Sequence, residues 1–171
     1  MTKEDQVTQQ MMPIVTKIFG FNYHIDKIIA ITRTSVAFKV YNIKDKANDV
    51  LWISQFTLAE GEEANFSKRM VALEKLTFSP QAKSYGLDGD LRPYLVQTYV
   101  GLHQLGVMGA GQIDQALVYI EDMVRAVAQV HYLGYELGDL SLSSFIVDGD
   151  GRLWLGSVIG SVNERNSKNN F

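Results

Sequence analysis

Apolar positions change their period several times along the chain. Over residues 4–19 they fall at helical spacing, with Val7, Met11, Ile14 and Ile18 on one face and Pro13 set to start a new turn or kink the helix. A helix packed on the body of the protein is expected there. From residue 23 the period drops to two. Residues 23–29 read as a first strand, and Val36, Phe38 and Val40 alternate with Ala37, Lys39 and Tyr41 in a second. A polar connection over 42–49 leads to a third strand at 50–53. Helical spacing returns over 60–76, with Phe66, Met70 and Leu73 as the apolar stripe. Acidic residues come early and basic ones late there, which suits the helix dipole. Residues 85–86 and 94–100 read as two more strands, with a turn at Asp88-Gly89-Asp90 between them.

The stretch 101–112, with four glycines and no charge, is expected to be a loop or a short irregular helix. Residues 113–133 carry the strongest helical pattern. Leu117, Ile120, Val124, Val127 and His131 line one face; Ala116, Tyr119, Met123, Ala126, Val130 and Leu133 line another. A helix apolar on two faces expects burial on both. Beyond Gly134 come a loop with Asp139, a strand at 145–147, a turn at Asp148-Gly149-Asp150-Gly151 and a strand at 153–155. A polar tail or linker over 162–171 closes the chain.

Composition narrows the function. A net charge of -3 argues against an electrostatic nucleic-acid binder. The absence of cysteine excludes disulfides, thiolate metal sites and cysteine nucleophiles, and favours a reducing, cytoplasmic setting. The opening MTKEDQVTQQ has no apolar signal region. The uncharged run 93–113 is long enough for a membrane span, but its glutamines, histidine and glycines suit a lipid-facing helix poorly, so a soluble protein is expected.

The order of elements, with Val36-Ala37-Phe38, Leu51 to Ser54, Phe66 to Pro80 and Asp139 to Ser161, resembles the protein kinases. The resemblance implies an α+β fold: a five-stranded antiparallel sheet with one helix over 21–100, preceded by a helical extension over 1–20. A truncated, mainly helical part with a short β-hairpin would follow over 101–161. It also implies that the nucleotide machinery is gone. Where kinases carry G-x-G-x-x-G between the first strands, this chain has Ala30, Thr32 and Ser35, each with a Cβ that obstructs the approach of phosphate to the backbone. The V-A-I-K position reads Leu51-Trp52-Ile53-Ser54, so Ser54 replaces the lysine. Lys39 is a poor substitute. Arg69 stands near the glutamate position of the helix, Gln97 at the gatekeeper and Thr98 to Val100 at the hinge. H-R-D-L becomes Leu137-Gly138-Asp139-Leu140, the metal-binding Asn is Ser144, and D-F-G becomes Ser157-Val158-Ile159. The later helices that cover the long helix in kinases have no counterpart, so a partner, a second copy or the N-terminal helix is expected to cover it.

Asp139 is the one catalytic-type residue retained, and bracing its own loop is the simpler role for it. His131 is expected as a hydrogen-bonded core histidine. His24 and His103 are isolated, and no pair has metal-ligand spacing. Ser141, Ser143 and Ser144 lack a nearby histidine, and Asp148 with Asp150 lacks the glutamate of a calcium loop. The expectation is a pseudokinase without cofactor or metal, acting as a scaffold, regulatory or protein-binding module, with the helix over 113–133 as the contact surface for another protein or for self-association. Two alternatives stay open: residual nucleotide-dependent transfer using Asp139, and an unrelated α+β adaptor.

Overall fold

Alternation in the second and third strands decides the architecture. Val36, Phe38, Val40, Leu51 and Ile53 point to one side of a sheet, and Ala37, Val50 and Trp52 to the other, all essentially inaccessible. A sheet buried on both faces must be covered twice. The structure, a computed structural model, describes residues 3–101, 103–105, 113–137, 140–156 and 162–164. In it, α1 (Lys3–Phe19) precedes β1 (Tyr23–Ile31), β2 (Ser35–Asn42) and β3 (Ala47–Ser54). Next come α2 (Glu63–Leu73), β4 (Ala82–Leu87) and β5 (Pro93–Thr98). The five strands form one antiparallel sheet in the order β1-β2-β3-β5-β4.

Helix α1 covers the first face. It runs through Pro13 and buries Met11 and Val15, with Val7 and Ile14 at the margin. Each buried side chain of this size contributes about 1.5–3 kcal/mol. Val15, outside the expected face, is buried, while Ile18, on it, is only half-buried. Phe19 closes the end, edge-on to both Tyr23 and Tyr94 at 5.1 Å. The helix is therefore committed to the sheet.

The other face packs on α2 and on the second half of the chain. Helix α2 buries Phe66, Met70 and Leu73 as its stripe requires, but it is shorter than 60–76. Gly61, at φ +90°, stands before it. At the other end Lys75 and Leu76 bond to Ala72 and Leu73, three residues back, which tightens the last turn.

The second half contains β6 (His103–Gln104), α3 (Ile113–Tyr132), β7 (Tyr135–Leu137), a 3-10 turn (Leu142–Ser144), β8 (Phe145–Val147), β9 (Leu153–Leu155) and β10 (Val162–Glu164). Strand β8 lies between β6 and β9, and β10 pairs with β7. Three of these strands lie where loop or tail was expected, and Val162–Glu164 corrects the reading of 162–171 as a wholly polar tail. The two halves are joined at Thr77–Phe78. Leu155 N–H donates to Phe78 O at 2.6 Å, Arg152 reaches Thr77 O, and Gln129 of α3 exchanges two hydrogen bonds with Thr77. Among the described residues no helix is long and apolar enough to cross a membrane.

Candidate functional site

The region to test lies between the inner face of the sheet and the β8–β9 hairpin. Its roof is the β1–β2 turn. Ala30 is buried opposite Ala37, and Thr32 closes the turn. The Thr32 hydroxyl accepts from the backbone N–H of Thr34 (3.2 Å) and Ser35 (2.9 Å), while Thr32 N–H donates to Ser35 O. Three turn amides are thus committed to the turn itself. Donors consumed in this way cannot cradle a phosphate.

Ser54 faces Ser35 across the strands and is also buried. Its hydroxyl donates to Phe56 O at 2.8 Å and accepts from Phe56 N–H, so it shapes the exit of β3. Lys39 gives no substitute cation. Its ammonium sits 2.6 Å from Asp26 and 5.4 Å from the Tyr99 ring centre. The Asp26 hydrogen bond raises the lysine pKa, and the same bond lowers that of Asp26. Arg69, half-buried on α2, lies over the Phe66 ring at 5.5 Å.

Between roof and floor stands Trp52. Its indole is 1% exposed and belongs to one cluster with Ala37, Leu95, Phe145, Ile146 and Leu155. A methyl group built on Gly156 would lie 3.0 Å from Trp52 Cζ2 and 2.9 Å from Ile146 Cδ1. The ring therefore reaches from β3 to the end of the hairpin and fills the space between them. Sequence reasoning missed this filling role, although a signal was present: the large Trp52 stands where the kinase motif has a small alanine.

The chain just beyond the stretch expected to form a hinge runs past the hairpin at close quarters. Gly101 has φ +115°, and a Cβ there would meet the Asp148 Cα at 3.1 Å. Gln97, expected as the gatekeeper, is buried, and its amide donates to Ser79 Oγ and to Pro80 O. It lines an open cleft of about 520 Å³ behind β5, together with Met70, Leu73 and Trp154.

On the floor, Ser144 is drawn into the turn before β8. Its hydroxyl accepts from Ser141 N–H at 3.2 Å, and its carbonyl accepts from Gly156 N–H. Asp148 organises the hairpin. One carboxylate oxygen accepts from Asp150 and Arg152 N–H, and the other from the Trp154 indole at 2.8 Å. Burial pushes its pKa up, but these hydrogen bonds outweigh burial and the net shift is downward. Asp150 is exposed and contributes its backbone N–H. The pair builds a turn, as the simpler reading had it. Among the described residues no cluster of three histidine or acidic side chains could hold a metal ion.

Several expected positions fall elsewhere. Asp139, Ser157 and the rest of the D-F-G match lie outside the described residues, as do the side chains of His103 and Ser143. His24 is exposed on β1. His131, expected in the core, is instead exposed on α3. The inward face of α3 does bury Tyr119, Ala126 and Val130. The other face does not follow the expectation of burial: Leu117, Ile120 and Val124 remain 51–63% exposed, and α1 lies on the sheet instead of over them. Of these, Val124 borders an open, mainly apolar groove of about 630 Å³, together with Val127, Ala128, Leu140 and Leu142. Set against the models of known protein families and against curated proteins, the chain matches none.

Proposed function

We propose that the chain is a catalytically inactive, kinase-like module that works by binding protein and does not take up Mg-ATP. The order β1-β2-β3, one helix, then β4 and β5, with β5 between β3 and β4, supports the first part of this reading. So does the succession of a hinge, a long helix and a hairpin behind it. One observation carries the second part: the Trp52 indole occupies the cleft between sheet and hairpin where the resemblance would put a nucleotide. The Thr32 turn, with its amides consumed, and Ser54 in place of a cation agree with it. What remains for function is surface, and the apolar outer face of α3 is the part of it least suited to water.

Thermal unfolding tests the proposal. A ligand that binds only the folded state raises the midpoint by mass action. Midpoints unchanged by millimolar ATP, with Mg²⁺ and with EDTA, are the expected result. A saturable rise in either condition would overturn the inactive-module reading and make Asp139 the next residue to substitute.

A further inference from the structure

The outer face of α3 has a pattern that identifies its occupant. At 3.6 residues per turn, Ile120, Val124, Leu117 and Ala128 form one apolar stripe along the helix. Beside the stripe, on the side away from Leu140 and Leu142, run Asp114, Glu121, Arg125 and Tyr132, all exposed. Glu121 and Arg125 already pair within the helix, with both side chains more than half exposed. A stripe flanked on one side by both signs of charge can complement itself.

We propose that a second copy of this chain docks on this face, its α3 antiparallel to the first across a two-fold axis. The partner named here rests on the reading of the protein as a binding module. In an antiparallel pair related by such an axis, the same flank of each helix meets. Placing the axis level with Met123, midway between Glu121 and Arg125, brings Glu121 alongside Arg125 of the partner subunit. Met123 is also midway between Asp114 and Tyr132, so the same placement sets the Asp114 carboxylate level with the hydroxyl of Tyr132 of the partner subunit.

The apolar stripe can be accommodated in that register. Along the helix axis Ile120 falls between Val124 and Ala128 of the partner subunit, and Leu117 falls one residue beyond Ala128 of the partner subunit. This is the stretch where the groove opens, bordered by Val124, Val127, Ala128 and His131 on α3 and by Leu140 and Leu142 across from it. Each copy thus presents Leu117 and Ile120 to the other's groove. The charge order on the flank selects the axis, and the apolar stripe is compatible with it.

Sedimentation velocity on the full chain, over a wide concentration range, reads the association. Wild type is expected to be a dimer at the higher concentrations. Arg125→Glu alone sets glutamates against glutamates across the axis, and Glu121→Arg alone sets arginines against arginines. Each variant is expected to sediment as a monomer with unchanged far-UV circular dichroism, since both side chains are exposed. Mixed in equal amounts, the two variants are expected to associate with each other, and the double swap to restore the dimer. A wild type monomeric throughout, single variants that still dimerise, or a mixture that stays monomeric would each overturn the proposal. None of those results touches the nucleotide test, so the dimer can fail while the binding-module reading stands, and the reverse.

Discussion

Trp52 and Gly156 leave no room for a methyl group between them, and that contact decides what the central cleft can hold. Glycine is required here for close approach; its φ is not in the left-handed region. Gly156→Ala is expected to lower unfolding stability by about 1–3 kcal/mol through overpacking. Adding Trp52→Phe to that variant, which shortens the ring, is expected to recover part of the loss. Purely additive losses in a double-mutant cycle by urea unfolding would place the ring elsewhere. At this scale the sequence was half legible. That Ser54, Ser144 and the Ala30–Ser35 turn lack the groups an active kinase-like site would need, as we propose, rests on single letters of the sequence. That Thr32 would consume the amides of its own turn, or that Trp52 would span to Gly156, depends on partners distant in sequence or on rotamers, which spacing does not carry.

Among the elements, the two hairpin turns Asp88–Arg92 and Asp148–Arg152 use one solution twice. In each the first aspartate accepts from the N–H two and four residues on, and its own N–H donates to the arginine carbonyl. The fourth position is left-handed in both, with Gly151 at φ +79° and Leu91 at φ +59°. The second turn also holds Trp154 through Asp148, whose pKa is lowered because its hydrogen bonds outweigh burial. A carboxylate lowered in the fold contributes stability above its ordinary pKa of about 3.9, and this is lost as pH falls through the lower folded value. Asp148→Asn is expected to cost about 1–2 kcal/mol at pH 7, modest because the turn is partly exposed. The gap from wild type should shrink towards pH 3, where wild type is itself losing the carboxylate. A gap independent of pH, by urea unfolding at both values, would mean that the charge plays no part.

Long elements were legible because periodicity needs several residues to declare itself. The alternation Val36 to Tyr41, the α2 stripe and the Asp-Gly turns all appear where the pattern puts them. Strands β6, β7 and β10 have two or three residues each, too few for any period, and exist because a neighbouring strand pairs with them. Helix α3 was legible as a helix but not in its surroundings. Its two apolar faces are real, yet on the outer one Val127 packs on the core while Leu117, Ile120 and Val124 stay exposed. Likewise the pattern of α1 showed that it packs, while its target followed from the tertiary arrangement, which leaves the outer sheet face to Met11 and Val15.

At the scale of the whole molecule, the sheet is a partition. Helix α1 seals one side, and α2, α3 and the hairpins build a continuous core on the other, with Trp52 at the crossing point. In an active enzyme of the kinase-like fold that we propose, that crossing point would be kept open for a nucleotide. Here the described core runs through it, and the large apolar surface left over is the outer face of α3. Whether the space around Trp52 is closed is therefore the central question. The most direct measurement is a titration of Mg-ATP followed by the indole N–H signals of Trp52 and Trp154 in a ¹⁵N-correlated NMR spectrum. The Trp52 signal is expected to stay in place up to millimolar nucleotide and to exchange slowly with deuterium, as a buried core ring should. A saturable displacement of that signal, or its rapid exchange, would mean that the cleft is open, and would contradict the account.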